Sequence, residues 1–359
     1  MSGGEPSSIK QFAWCAAGEP ALSGMYAYRV GVMFDFVVCG LLYSVSFFML
    51  FSFFVRARAR TCGNTRCVRM VSVSSYSFER WRREKGLDLR EVVRAAADMG
   101  WDGIEFTTLP AEGPTEAKLM AAELRELCRQ KGLAIVAYAV GADLQKGPGE
   151  ALKLREQVDV AATLGVPVMR HDLTWSLPPD GDWARLAAQM APLVREVSAY
   201  AFELGVRTCS ENHGMVFQDP GRMETVMQEV GHPNYGWLVD VGNFMCTDCD
   251  PVSSVRRALP YLAHVHVKDF RHNNPKAGPS WAGQPGVLLT RGGMEICGCV
   301  PGDGDADVWN SLRAILASGY DGAYSLEYEG PGDVLSSVEE GLSRMRAFFG
   351  DPSRNPGKE

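Results

Sequence analysis

The fold is decided by a repeated unit, seen most clearly in EALKLREQVDVAATLGVPVMRHD (residues 150–172). Apolar residues recur at helical spacing up to Leu164, and Gly165 follows at the position where a helix ends. The short apolar run that comes next has the composition of a strand. Because the same glycine-to-strand step returns at Gly132-Leu133 and Gly205-Val206, the sequence predicts a parallel sheet built from βα units.

Eight strands are predicted after Met70. They are VSVSSYSF (71–78), GIEFTT (103–108), LAIVAYAV (133–140), VPVMRHD (166–172), VRTCSENH (206–213), YGWLVDVG (235–242), AHVHVKD (263–269) and AYSLEYE (323–329). Eight βα units match the size of a (β/α)₈ barrel, and no G-x-G-x-x-G follows any of these strands as an open dinucleotide-binding sheet would require. The predicted fold class is therefore α/β, a (β/α)₈ TIM barrel over residues 70–350 with a tail at 351–359. Phe270 to about Asp305 is predicted as a long loop at the mouth, a candidate lid.

The extension at residues 1–69 differs from the rest of the chain. Its segment FVVCGLLYSVSFFMLFSFFV (36–55) has no charge and is long enough to cross a bilayer as a helix. Five arginines follow between Arg56 and Arg69, which would keep the barrel on the cytoplasmic side. Two hypotheses stay open, a membrane anchor or an upstream segment absent from the native protein, with Met70 as the start. A cytoplasmic barrel is expected in both cases.

Charge is unevenly divided along the chain. Residues 1–69 hold seven Lys or Arg against three Asp or Glu, whereas residues 70–359 hold 29 against 40, a net charge of −11. An acidic body excludes nucleic-acid binding as the main function. A composition of 46% hydrophobic and 22% charged residues excludes a disordered or fibrous protein. The ten cysteines follow no even spacing, which indicates reduced thiols in a reducing compartment.

Four consecutive predicted strands end in polar side chains. The carboxyl ends of strands are where catalytic groups of such barrels lie, and four side chains of this type would be costly to bury without a metal or mutual pairing. The predicted metal ligands are Glu211, Asp240, His266 and Glu327. This mixed oxygen and nitrogen set suits a divalent metal, Mn²⁺ first, with Mg²⁺, Co²⁺ or Zn²⁺ as alternatives.

Strand alternation adds further candidates. His213 shares a face with Glu211 and is predicted as a second ligand or a proton carrier, and Lys268 shares a face with His266 and is predicted to contact a substrate oxygen. Glu105 and His171 are candidates for substrate contact, with a capping role as the alternative for the His171-Asp172 pair. Trp175 and Trp281 lie in predicted mouth loops, where either could stack on a sugar ring.

Five motifs resemble those of the sugar phosphate isomerase/epimerase family, the xylose isomerase-like TIM barrels. They are SENHG (210–214), LVDVGN (238–243), HVHVKD (264–269), SLEYEG (325–330) and PGDGDAD (301–307). The resemblance covers about residues 70–350. It implies that Glu211, Asp240, His266 and Glu327 hold a divalent metal, and that the two glutamates act as acid and base as in ketose epimerases. Asn243 stands where ketose epimerases carry a substrate-binding histidine, and it is therefore a further candidate for substrate contact.

The expected function is a metal-dependent sugar isomerase or epimerase that works through an enediolate of a ketose or keto-sugar. Glu211 and Glu327 are the expected acid and base, with His213 as the alternative base. A lyase of the inosose dehydratase or C-glycoside-cleaving kind is the first alternative, and a non-catalytic sugar-binding protein is the second. The expected partners are a small carbohydrate, a second copy of the chain or a partner subunit, with no nucleic acid, and a membrane only if residues 36–55 insert.

Overall fold

The computed structural model of the protein describes residues 69–273, 278–284 and 286–357. Eight parallel strands close into a barrel in the order β1-β11-β7-β6-β5-β4-β3-β2. They are β1 (Val71–Ser74), β2 (Gly103–Thr107), β3 (Ala134–Val140), β4 (Val168–His171), β5 (Arg207–Glu211), β6 (Tyr235–Asp240), β7 (Leu262–Val267) and β11 (Tyr324–Leu326). The predicted (β/α)₈ barrel is confirmed.

Helices cover the outside of the barrel. They are α1 (Glu79–Lys85), α2 (Leu89–Met99), α3 (Pro114–Lys131), α4 (Pro148–Leu164), α5 (Trp183–Glu203), α6 (Pro220–Val230), α7 (Pro251–Ala258), α8 (Val308–Ala317) and α9 (Val334–Gly350). Gly165 ends α4 with a φ of 77°, and its N–H donates to the carbonyls of Ala161 and Ala162, which is the helix end that the sequence predicts. Within the described ranges, no helix has the length and apolarity to cross a membrane. The predicted anchor at residues 36–55 lies outside the described residues.

The strands divide the interior into two apolar layers. Side chains that point outward pack under the helices and include large residues such as Phe106 and Trp237. Side chains that point inward at the amino-terminal end are smaller, among them Val168, Cys209 and Ala263. Because inward positions nearer the carboxyl ends are polar, the alternation collects polar side chains at one end of the barrel.

The stretch after β7 is not the long loop that the sequence predicts. It contains β8 (Asp269–Asn273), β9 (Val287–Leu289) and β10 (Glu295–Cys299), which pair as an antiparallel sheet in the order β8-β10-β9. The prediction of an unstructured loop was wrong because strands of three to five residues lie among many Gly, Pro and Asn. Runs this short show no clear alternation.

Asp269 connects the sheet of β8, β9 and β10 to the barrel through hydrogen bonds. Its carboxylate accepts backbone hydrogen bonds from Phe270 at 2.9 Å, Gly302 at 2.8 Å, Gly304 at 2.9 Å and Ala306 at 3.1 Å. A Cβ at Gly304 would lie 2.0 Å from Oδ1 of Asp269, so the close approach requires glycine there. The same carboxylate therefore holds both the start of β8 and the loop that returns to the barrel.

Replacement of Asp269 by Ala is expected to lower the free energy of unfolding by about 3 kcal/mol, because four backbone donors lose their acceptor in a buried place. Urea denaturation measures the change. The control is Asp98→Ala at an exposed position of α2, where the loss should be under about 0.5 kcal/mol. Equal stability of the two variants would show that the hydrogen bonds to Asp269 do not stabilise the fold.

Candidate metal centre

Four carboxyl ends of neighbouring strands meet at the polar end of the barrel. Glu211 ends β5, Asp240 ends β6, His266 lies in β7 and Glu327 directly follows β11. One ligand atom from each lies within 4.8 Å of the others. Their side chains are between 0% and 12% exposed. The structure thus brings together the four residues that the sequence predicts as ligands.

The atoms of this cluster fit a cation. Oδ2 of Asp240 and Nδ1 of His266 are buried and make no hydrogen bond of acceptable geometry among the described residues. Nδ1 of His266 lies 3.1 Å from Oε2 of Glu327, 3.7 Å from Oε1 of Glu211 and 3.8 Å from Oδ2 of Asp240. Buried polar atoms normally have partners, and three carboxylates with one imidazole form a donor set for a divalent metal.

The electrostatics of the cluster also favour added positive charge. Burial raises the pKa of Asp240. Burial opposes ionisation of Glu327 as well, but Lys268 and His266 hold the pKa of that carboxyl well below its usual value. Conversely, burial lowers the pKa of His266 while Glu105 and Glu327 raise it, and the result is a pKa well above the usual value. The carboxylates therefore create a negative potential that a cation would offset.

Glu105 orients the imidazole of the cluster. Nε2 of His266 donates to Oε1 of Glu105 at 2.9 Å, so Nδ1 faces the other three ligand candidates. Glu105 also contacts Nε2 of His264 at 2.9 Å. Burial would raise the pKa of Glu105, but the two histidines lower it to about 2. Glu105 is completely buried and does not line the cavity, so the structure places it behind His266 and not at a substrate.

A cavity of about 270 Å³ opens above the cluster, and we call it the metal-centre cavity. Its wall includes three of the four ligand candidates, with Lys268, Glu329, His213 and Trp175. Trp175 is 55% exposed, so its indole offers a flat surface at the mouth. Trp281, the other predicted stacking residue, is not part of this wall.

Lys268 connects the carboxylates on one side of the cavity. Its Nζ lies 2.8 Å from Oε2 of Glu327, 3.2 Å from Oδ2 of Asp240 and 3.2 Å from Oε2 of Glu329. Burial lowers the pKa of Lys268, but these carboxylates raise it well above the usual value. The ammonium is therefore charged, and it lies in the wall of the metal-centre cavity.

His213 lies in the wall of the metal-centre cavity beside Arg170 and Asp172. Its Nδ1 is 3.0 Å from Oδ1 of Asp172 and 2.7 Å from Nη2 of Arg170, and the edge of its ring meets Trp175 at 4.7 Å between centroids. Nδ1 can either donate to the carboxylate or accept from the guanidinium. In both tautomers Nε2 is left for a ligand, which suits the predicted proton carrier.

Arg170 is a site residue that the sequence interpretation missed. Its Nη2 lies 2.7 Å from Oε2 of Glu211 and 2.8 Å from Oδ1 of Asp172, and the side chain is nearly buried. Burial opposes ionisation of Glu211, but Arg170 holds the pKa of that carboxyl well below its usual value. Alternation within VPVMRHD was the available signal, because Arg170 and Asp172 share one face.

His171 consequently faces the helices, and the structure does not bring it into the cavity. Its ring stacks on Tyr235 at 6.0 Å between centroids, and Nδ1 donates to the carbonyl of Asp172 at 2.9 Å. Asn243 also stays out of the cavity wall. Its Nδ2 donates to Oε1 of Glu211 at 2.8 Å and its backbone N–H donates to Oδ1 of Asp240 at 3.0 Å, so it positions two ligand candidates.

Burial lowers the pKa of His171 from 6.5 to about 4. Below pH 6.5 the unfolded chain gains a proton there that the folded chain does not, so stability is lost as the pH falls from 6.5 towards 4. His171→Phe should remove about 3 kcal/mol of this pH dependence while keeping a ring against Tyr235. Urea denaturation between these pH values tests it, with exposed His272→Phe as the control. Equal pH profiles for wild type and His171→Phe would contradict the buried neutral state.

The chain is similar in sequence to one protein family and to individual proteins of known description. The family model described as xylose isomerase-like TIM barrel matches residues 93–348. A human protein described as putative hydroxypyruvate isomerase is 24% identical over 282 residues, which cover 72% of this chain and 88% of that protein. The 2-epi-5-epi-valiolone 7-phosphate 2-epimerase of an Actinoplanes strain is 29% identical over 219 residues, covering 55% of this chain and 74% of the epimerase.

A solved structure shares the fold. The crystal structure of a xylose isomerase-like TIM barrel protein from Mycobacterium smegmatis, in complex with magnesium, superposes with a TM-score of 0.60 and 18% sequence identity. The match covers 74% of this chain and 89% of that one.

Proposed function

The chain belongs to the xylose isomerase-like TIM barrel family, and from this premise we propose that it is a divalent-metal-dependent sugar isomerase or epimerase. The proposed reaction converts a ketose or keto-sugar derivative through an enediolate. The observation that carries the proposal is the buried cluster of Glu211, Asp240, His266 and Glu327, three of which line the metal-centre cavity.

These four residues would hold the metal, for which Mn²⁺ is proposed and Mg²⁺, Co²⁺ or Zn²⁺ are the alternatives. A divalent metal bound there supplies Lewis acidity, which polarises a substrate carbonyl and offsets the negative charge of an enediolate. The magnesium complex of the Mycobacterium smegmatis barrel supports a hard cation. The relatives described as an isomerase and an epimerase support this class of reaction.

The proton transfers fall to the two glutamates. Glu211 and Glu327 stand at β5 and β11, which are separated in the barrel by β6 and β7, so they approach a bound sugar from two sides. One removes the proton next to the carbonyl and the other returns a proton to the enediolate. The Lys268 ammonium, 2.8 Å from Glu327, donates to a substrate oxygen as it gains negative charge.

A lyase is the second candidate, and the pair of His213 and Asp172 favours it. Nδ1 of His213 lies 3.0 Å from Oδ1 of Asp172, which leaves Nε2 as a proton donor or acceptor in the cavity. After the first proton is removed, His213 would protonate a departing group on the adjacent carbon. A His213→Gln variant that keeps proton exchange but no longer releases the group would identify the lyase.

The test of the proposed function combines metal analysis with solvent exchange. The full chain is incubated in D₂O with ketoses, keto-acids and 3-keto-glycosides, and bound metal is measured by elemental analysis. We expect one metal ion per chain and deuterium next to the carbonyl, with exchange lost after chelation. Asp240→Asn serves as the matched variant, because it removes one ligand charge without changing side-chain size, and should bind less metal.

Each other outcome has a defined meaning. Bound metal without exchange on any compound would favour the sugar-binding alternative over an enzyme. Absence of bound metal, or exchange that persists after chelation, would overturn the assignment of the four ligands.

A further inference from the structure

A second cavity of about 320 Å³ lies beside the metal-centre cavity, and we call it the side cavity. Tyr76 and Glu329 belong to the walls of both cavities. The remainder of the side cavity comes from α1, from Leu288 on β9 and from the loop that precedes α9. A ligand bound in the metal-centre cavity can therefore extend a substituent past Tyr76 into the side cavity.

Part of the lining of the side cavity is apolar and aromatic. Tyr76, Tyr328, Leu288, Pro331 and Val334 all contribute to it. Tyr76 and Leu288 are 41% and 45% exposed, so each has surface left to cover. Exposed aromatic and aliphatic surface inside a concave site is typical of a binding pocket for an apolar group.

Charged side chains also line the side cavity, and the Arg80 guanidinium among them is already paired. The Arg80 guanidinium donates to the carbonyls of Pro331 at 3.1 Å and Gly330 at 3.3 Å, and also to that of Gly332. Arg83 lies 3.5 Å from Glu79, and its side chain is 71% exposed. Because the Arg80 donors are engaged and the carboxylates of Glu79 and Glu329 also line the side cavity, a phosphate group gains little here. A planar guanidinium held in this way instead suits the face of an aromatic ring.

We infer that the substrate is a sugar derivative with an aromatic substituent, such as an aryl glycoside, and that the side cavity holds the ring. The inference rests on the proposed function, because a sugar must occupy the metal-centre cavity. The ring would lie against Tyr76 and Leu288, with Tyr328 behind it. Aromatic pairing and burial supply the gain in affinity.

Binding of simple glucosides tests the inference without turnover. Phenyl β-D-glucoside and methyl β-D-glucoside lack a carbonyl, so the enzyme cannot enolise them, and isothermal titration calorimetry on the full chain with Mn²⁺ gives their affinities. We expect the phenyl compound to bind about tenfold tighter than the methyl compound. Methyl β-D-glucoside 6-phosphate, which also lacks a carbonyl, is the comparison for an anionic substituent, and its affinity should not exceed that of the methyl glucoside.

Two neighbouring residues supply matched variants. Leu288→Ser removes apolar surface from the side cavity and should reduce the phenyl preference to about twofold. Leu289→Ser changes the next residue of β9, which is 62% exposed and does not line the side cavity, and should leave the preference unchanged. Both positions are exposed enough to accept serine without loss of folding.

Equal binding of the phenyl and methyl glucosides would overturn the inference, as would failure of both to bind or tighter binding of the phosphate. An equal change in the two variants would overturn the role of the side cavity. These results are separable from the proposed function. Tighter binding of the phenyl glucoside without metal-dependent deuterium exchange would remove the proposed function alone. Metal-dependent deuterium exchange without tighter binding of the phenyl glucoside would remove only this inference.

Discussion

Replacement of Glu327 by Gln is expected to lower kcat by about a thousandfold, because a ligand charge and a proton acceptor disappear together. The amide keeps the size of the side chain, which is 12% exposed beside Lys268 and His266. Glu211→Gln should have an effect of similar size. Steady-state turnover of whichever compound shows metal-dependent exchange provides the measurement.

The control for these glutamate variants is Glu339→Gln on the exposed side of α9, which should keep full turnover. Urea denaturation of each variant separates loss of chemistry from loss of folding. Near-complete activity of either Glu211→Gln or Glu327→Gln would remove the two-carboxylate mechanism. Retained proton exchange with lost metal would instead show that the residue helps to hold the metal, but that neither the residue nor the metal is needed for proton transfer.

Replacement of Arg170 by Met should lower the free energy of unfolding by about 3–5 kcal/mol, because buried carboxylates lose their charge partner. Oε2 of Glu211 and Oδ1 of Asp172 both lie within 2.8 Å of the same guanidinium nitrogen. The pKa of Glu211 should rise without Arg170, since that cation keeps it low against the effect of burial. Urea denaturation gives the stability, and the acidic limb of the activity profile should move to higher pH.

A double variant distinguishes the ion pair from simple packing. Arg170→Met combined with Glu211→Gln removes one buried charge of each sign, so part of the lost stability should return. Arg170→Lys should fall between wild type and Arg170→Met, because one ammonium cannot reproduce the planar guanidinium contacts. A loss under about 1 kcal/mol in Arg170→Met, within the range of exposed pairs, would contradict this account.

The barrel and its four ligand candidates could be predicted because both depend on local patterns. Short barrel strands repeat eight times along the described part of the chain, and five of its α-helices end at a C-cap glycine such as Gly165. Alternation then correctly paired His266 with Lys268 and Glu211 with His213 on inward faces. These features need only the period of a strand and the rule that carboxyl ends of barrel strands meet.

Other parts of the site depend on contacts that sequence spacing does not reveal. Arg170 was overlooked in favour of His171. The two residues are adjacent in β4, where successive side chains point to opposite faces, so Arg170 points inward and His171 points outward. Asn243 and Glu105 have the polar character of substrate ligands, yet the structure uses them to hold Glu211 and His266. Whether a buried polar residue touches a ligand or a neighbour is decided by packing between strands distant in sequence.

The four hydrogen bonds to Asp269 have a further consequence for diversification of the protein. The chain leaves the barrel at Phe270 and returns near Ala306, and both points bind one carboxylate. The stretch between them is therefore a cassette that one carboxylate holds at both ends, and Gly302 and Gly304 within it supply two of the four hydrogen bonds. Exchange of that cassette, including Leu288 beside the side cavity, should alter which substituent is accepted while the catalytic floor keeps its geometry. If the side cavity selects the substituent, a graft that keeps Gly302 and Gly304 is expected to change substrate range without changes to the barrel strands.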